Sequence, residues 1–258
     1  MKATALFLAP LLLACLPITA MGAEPAVRAL IPKGAVILGT DMESLKKLIA
    51  GKDAKPEWYA DETPSKKTET GTFEIDIHEV TNARFKEFYK EHSFPPNLAN
   101  HPVVNVTWKE ANDYCRGTGG RLPTEAEWVR AARGNTANVY PWGNEFNPQN
   151  TVYMDSAGGG KMKAGSYAVE SSGENELGGT WPAGSIEAGK SPFGVYDMAG
   201  NAWEWVDGWY DEGKKLRMLK GGSWLSPWQS LRISARLGDG GERKFNDYGF
   251  RCVYNPKQ

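Results

Sequence analysis

The sequence predicts a single α+β domain with little regular secondary structure, and three observations point there. Between residues 81 and 134 three helices are marked by their N-caps. Just before them, one segment alternates like a half-buried strand. Beyond Gly134 the regular pattern fades into Gly, Asn, Pro, Ser and Trp, broken by short apolar runs. No internal repeat or low-complexity tract divides the chain, so residues 24–258 read as one unit. Of the 258 residues 41% are hydrophobic and 24% charged, enough apolar content for a folded core.

In chain order, Lys2, the apolar run Ala3 to Leu16 and the small residues Ala20-Met21-Gly22-Ala23 fit an export signal over residues 1–23. The run is too short to span a bilayer as a permanent helix, and no later stretch of about 18 apolar residues exists. A periplasmic or secreted protein is expected. Leu12-Leu13-Ala14-Cys15 is also an acceptable lipobox, which would put a lipid anchor on Cys15 instead. Ala29 to Gly39 reads as a short strand broken by a Pro–Gly turn. Residues 40 to 70 read as a polar surface loop with one helical turn at Ser44 to Ala50.

Phe73, Ile75 and Ile77 then fall on one strand face, with Glu74, Asp76 and His78 on the other. Thr81 or Asn82 caps the first helix, whose apolar stripe is Phe85, Phe88 and Tyr89. Thr107 to Glu110 is a capping box that sets Trp108, Ala111 and Cys115 inward. Thr124 to Glu127 is another, with Trp128, Ala131 and Ala132 inward and Gly134 as the left-handed stop.

Loss of the signal removes one charge, Lys2, and leaves 29 basic against 31 acidic residues, a formal charge of −2. Nothing in that balance favours nucleic acid. Lys46-Lys47, Lys66-Lys67 and Lys214-Lys215 are scattered surface pairs. With Cys15 in the signal, Cys115 and Cys252 are the only remaining thiols. In an exported chain they read as one disulfide, or else as two separate buried thiols. No GxSxG, P-loop or HExxH occurs, and His78, His92 and His101 lack metal-ligand spacing.

The ordered segments HEVTNARF (78 to 85), HPVVNVTWKEANDYC (101 to 115), RLPTEAEWVRAARG (121 to 134), PWGN (141 to 144), FGVYDMAGNAWEW (193 to 205), GGSW (221 to 224) and GFRC (249 to 252) resemble the formylglycine-generating enzyme, or sulfatase-modifying factor, family. The resemblance implies a compact fold akin to the C-type-lectin-like fold, and it favours a bridge between Cys115 and Cys252. It also implies structural calcium, held by the side chains of Asp197 and Glu204 and the carbonyls of Gly200 and Ala202. Hard oxygen ligands in an irregular loop suit that ion. A second, weaker site is implied at Asn150, Thr151, Asn175 and Leu177, where the family typically has an aspartate in place of Asn175.

Family members oxidise a cysteine of a client sulfatase to formylglycine, using two cysteines after GGS that bind copper(I). Here that loop, Trp224 to Arg236, reads WLSPWQSLRISAR, with Ser226 and Ser230 near the cysteine positions. A neutral hydroxyl neither binds copper(I) well nor exchanges disulfides, so copper is not expected as cofactor. Trp203, Ser223, Trp224, Trp228 and Arg236 remain as expected ligand contacts, with Arg251, Asp239, Glu242 and Asp247 nearby. By resemblance, Trp203 and Ser223 fall at substrate-cleft positions. The expected function is a calcium-stabilised binding or maturation accessory for a periplasmic peptide, protein client or small ligand. The alternative is a divergent oxidoreductase that matures a peptide-derived substrate without cysteines, as relatives acting on a siderophore chromophore do, with Asp239, Glu242 or Asp247 as acid or base.

Overall fold

Every predicted helix forms at its predicted cap. The computed structural model of the chain describes residues 26–50, 55–154 and 179–256. The export signal 1–23 with Cys15, and the implied calcium ligands Asn175 and Leu177, lie outside the described residues.

Helix α2 (Asn82–Phe88) is capped by Thr81, and α3 (Trp108–Gly117) and α4 (Glu125–Arg133) open with complete capping boxes at Thr107 and Thr124. Such caps contribute about 1 kcal/mol each by satisfying orphan N–H groups. Gly134, at φ 67°, ends α4. Phe85, Ala111, Cys115, Trp128, Ala131 and Ala132 are buried as expected. Phe88 is not: it is 41% exposed at the helix end, its ring lying over Gly117.

The Ala29 to Gly39 segment divides into β1 (Arg28–Ile31) and β2 (Gly34–Leu38), which join different sheets. One sheet has the order β1-β4-β9, built with β4 (Phe73–Asp76) and β9 (Val253–Tyr254). The other pairs β2 with β3 (Lys66–Thr70). The 40–70 segment is therefore more ordered than its polarity suggests, containing α1 (Met42–Ile49), a 3-10 segment at Pro56–Glu62 and β3. A few buried side chains suffice for this order. Leu45, Ile49 and Tyr59 form a small apolar cluster, and Glu62 reaches Arg232.

The C-terminal half holds a sheet that the fading pattern did not announce. Its order is β7-β6-β5-β8, from β5 (Trp203–Asp211), β6 (Leu216–Lys220), β7 (Leu237–Gly240) and β8 (Tyr248–Gly249). All neighbours are antiparallel except β5 and β8. One apolar core gathers Phe85, Trp203, Trp205 and Phe250 around the bonded Cys115 and Cys252, whose Cα atoms are 5.5 Å apart. A second gathers Trp128, Met198, Val206 and Ile233. Full burial of such side chains is worth about 1.5–3 kcal/mol each. No helix among the described residues is long and apolar enough to cross a membrane.

Candidate functional site

The turn before β5 depends on unusual backbone. Asp197, Gly200 and Asn201 all have positive φ, at 57°, 92° and 66°. At Gly200 a Cβ would collide with the Val152 carbonyl and the Thr151 hydroxyl, so only glycine fits. Asn201 fixes the turn from within: its side-chain oxygen accepts from the Trp181 amide at 2.8 Å, and its Nδ2 donates to Glu79 Oε2 at 2.8 Å. The Ala202 amide donates to the other Glu79 oxygen at 3.1 Å. Thr151, assigned by resemblance to the second calcium site, donates its hydroxyl to the Ala199 carbonyl of this same turn. Asn150 adjoins it, its carbonyl lying against Gly189.

Glu204 is on β5 itself, paired with Lys220 and Gly249 across the sheet, and not in the turn. Its carboxylate is fully buried and grips Arg251 at 2.6 to 3.0 Å, and Trp128 Nε1 donates to it at 2.8 Å. Three carboxylates, the fully buried Glu79 and Glu204 and the partly buried Asp197, thus gather around one guanidinium. Burial and the charges of Asp197 and Glu204 push Glu79 well above the usual carboxylate range. Burial also raises Asp197 to about 6, opposed by the Gly184 amide that donates to it at 2.7 Å.

Glu79 is a residue that the sequence reading missed. It lies in the HEVTNARF match, yet nothing in its local pattern marks it as buried. The donor set here is all oxygen and carries surplus negative charge, which fits a hard cation. Among the described residues no three His, Cys, Asp or Glu side chains form a metal-ligating group, so backbone oxygens would have to complete any shell.

The GGS loop crosses beside this turn. Gly221 and Gly222 have φ of 96° and 75°, and the Gly200 amide donates to the Gly221 carbonyl. Ser223 is fully buried and donates to Asp247 Oδ2 at 2.7 Å, while the Ser223 amide donates to Ser226 Oγ at 2.9 Å. The two hydroxyl oxygens are 3.2 Å apart. Burial raises Asp247, with the Ser223 hydrogen bond opposing. Both serines therefore serve the loop's own hydrogen bonding. The structure brings Trp203, Ser223, Trp224 and Asp247 together: the Trp203 amide donates to the Asp247 carbonyl, and Trp224 Nε1 donates to the Asn246 carbonyl. Trp203 is a core side chain, 6% exposed, whereas Trp224 and Trp228 are partly exposed.

Arg236 and Arg251 do not join the expected groove. Arg236 pairs with Glu125 at 2.6 Å and donates to the Asp61 carbonyl, and Arg251 is spent beneath Glu204. Asp239 accepts from the Tyr248 hydroxyl at 3.2 Å, and Glu242 is exposed.

Compared with known proteins, residues 23–256 match the family described as sulfatase-modifying factor enzyme 1-like domain. The chain is 28% identical over 300 residues to inactive C-alpha-formylglycine-generating enzyme 2 of Mus musculus, covering 94% of this chain and 90% of that one. It is 33% identical over 173 residues to the formylglycine-generating enzyme of Mus musculus, covering 60% of this chain and 44% of the enzyme. Among solved structures, PvdO from Pseudomonas aeruginosa superposes with a TM-score of 0.66 at 21% identity, over 89% of this chain and 94% of that one. Treponema denticola variable protein 1 does so with a TM-score of 0.69 at 18% identity, over 93% and 100%. These likenesses establish the fold, and the match over residues 23–256 establishes that the chain belongs to the formylglycine-generating enzyme family.

Proposed function

We propose that this protein is an exported, calcium-stabilised member of the family that does not generate formylglycine and instead binds, or helps to mature, a periplasmic protein or small ligand. One observation carries the reading. The loop that supplies thiols for oxidation carries serines here, and Ser223 and Ser226 are hydrogen-bonded into the scaffold. The remaining thiols of residues 24–258 are bonded to each other, far from that role. Similarity over 94% of the chain to a relative named inactive supports the same conclusion.

Calcium would be held by the side chains of Asp197 and Glu204 with the carbonyls of Gly200 and Ala202, Glu204 sharing its carboxylate with Arg251. Trp224 and Trp228, the partly exposed aromatics of the loop, are the ligand contacts we favour. The Cys115–Cys252 pairing suits an oxidising compartment.

The decisive experiment incubates the purified protein with copper(I), oxygen and a sulfatase-type peptide, then weighs the peptide. An unchanged mass is expected, and formylglycine above a metal-free control overturns the reading. Unreduced peptide mapping of exported protein should find the Cys115 and Cys252 peptides joined; two alkylatable thiols would overturn the disulfide. A second reading rests on Asp247, whose raised carboxyl beside Ser223 and Trp224 would take up the proton released when molecular oxygen, as co-substrate, removes two electrons from a client in a cysteine-independent oxidation. Replacing Asp247 with Asn would then abolish turnover of a client while leaving its binding intact.

A further inference from the structure

A cavity of about 670 Å³ opens between the start of α3 and the β5–β6 hairpin, away from the turn and the serine loop. Arg217 stands at its wall between two indoles, its guanidinium carbon 3.7 Å from the Trp108 ring centre and 3.6 Å from that of Trp209. The clamp is built rigidly. Trp108 Nε1 donates to the Val206 carbonyl at 2.9 Å, the Trp108 amide donates to Gly241, and Trp209 and Arg217 are cross-strand partners.

With both planar faces stacked, only the N–H edge of the guanidinium remains for polar partners. Among the described residues no hydrogen bond or ion pair uses it; Asp207 and Glu212 act on Arg217 only through space. Of the other charges in the lining, Lys109 is paired with Asp113 at 2.5 Å, and Lys215 and Glu242 oppose one another in sign. Arg217 is thus the charge the cavity leaves uncompensated.

We propose that this cavity binds a carboxylate of a peptide through Arg217, with Trp108 and Trp209 holding the guanidinium plane and covering apolar surface of the ligand beside it. The planar fork of arginine matches a carboxylate in two parallel hydrogen bonds. Tryptophan and arginine are the side chains that most often carry binding energy, and the volume lies in the range of small-ligand pockets, roughly 300–1,000 Å³. A single surplus positive charge suits a monoanion, since Asp113 and Glu242 would repel a phosphate dianion. On the other side of Trp209 a cavity of about 450 Å³ is lined by Asp61, Glu125 and Asp211, with Arg236 already paired, so an anion is sorted to the Arg217 side. The two readings are separable, because no residue of the serine loop lines this cavity.

The test titrates isotope-labelled protein with acetyl-Ala-Ala-Ala as free acid, the same peptide as C-terminal amide, acetyl-Ala-Glu-Ala amide, and inorganic phosphate, following the indole N–H resonances of Trp108 and Trp209. At least one carboxylate peptide should shift both resonances and bind roughly tenfold tighter than the neutral amide, about 1.4 kcal/mol. Which of the two does so tells a C-terminus from an acidic side chain. Arg217→Met, which keeps a stem for the indoles to stack on, should erase that preference while leaving the melting temperature near wild type. Equal binding of acid and amide, a preference that survives Arg217→Met, or phosphate binding tighter than either acid would each overturn the proposal. Should Arg217→Met fail to fold, the acid and amide comparison on wild-type protein decides by itself.

Discussion

The turn at 197–204 and the loop at 220–236 adjoin each other, yet they manage buried charge in opposite ways. Around the turn three carboxylates, Glu79, Asp197 and Glu204, share one cation, Arg251. In the loop three cations, Lys220, Arg232 and Arg236, share two carboxylates, Glu62 and Glu125. The surplus appears where linkage requires it. Burial lifts Asp197 to about 6, with Arg251 opposing and Glu204 adding to it, and in the loop burial lowers Lys220 to about 8 against the pull of Glu125. The carboxylates around the turn rely on Arg251, and the loop is tied to α4 and the 3-10 segment by its own side chains. The loop's ion-pair anchors are Arg232 and Arg236.

The largest effect should come from breaking the turn's single cation. Arg251→Met leaves buried carboxylates unpaired and should cost about 3–5 kcal/mol in urea unfolding, part of it recovered by adding calcium. Glu62→Gln removes the partner of Arg232 and should cost about 3 kcal/mol, but with no recovery by calcium; a calcium response here would erase the distinction between the two regions. Calcium at a hundredfold over its Kd should stabilise wild-type protein by about 2.7 kcal/mol, read as a melting midpoint that falls on chelation. An unmoved midpoint would count against calcium in the turn.

Smaller effects probe the loop. Lys220 loses its proton more readily in the folded chain than in the unfolded one, where the ordinary value is 10.5. Its contribution is therefore fully present above about 10.5 and lost as pH falls through about 8, so wild-type stability should gain on Lys220→Met as pH rises between those values. Denaturant melts of both proteins at several pH values check the sign. Ser226→Ala removes one acceptor from the Ser223 amide and should cost only about 1 kcal/mol.

Much of this was legible in the sequence, though unevenly. Caps at Thr81, Thr107 and Thr124 are local hydrogen-bond chemistry, so three residues suffice to place each helix start. Strand β5 was hidden because Trp203 and Glu204 belong both to the turn motif and to the ladder, its hairpin with β6 has irregular register, and its other partner β8 lies far along the chain. The 40–70 segment was hidden for a related reason. Its order rests on Glu62 meeting Arg232, a contact 170 residues away that no window of sequence contains. Arg236 shows the same limit at the site: its neighbourhood in sequence suggested the groove, but Glu125 and the Asp61 carbonyl hold it elsewhere.

The bond between Cys115 and Cys252 has a topological consequence. It makes a covalent ring of everything from the end of α3 to the last strand, including the turn, the serine loop and the four-stranded sheet. A protease that cuts once inside that ring produces a nicked molecule of undiminished size. Its fragments part only when reductant and denaturant act together, so cuts between Cys115 and Cys252 show only on reduced gels, whereas cuts before Cys115 show on unreduced ones as well.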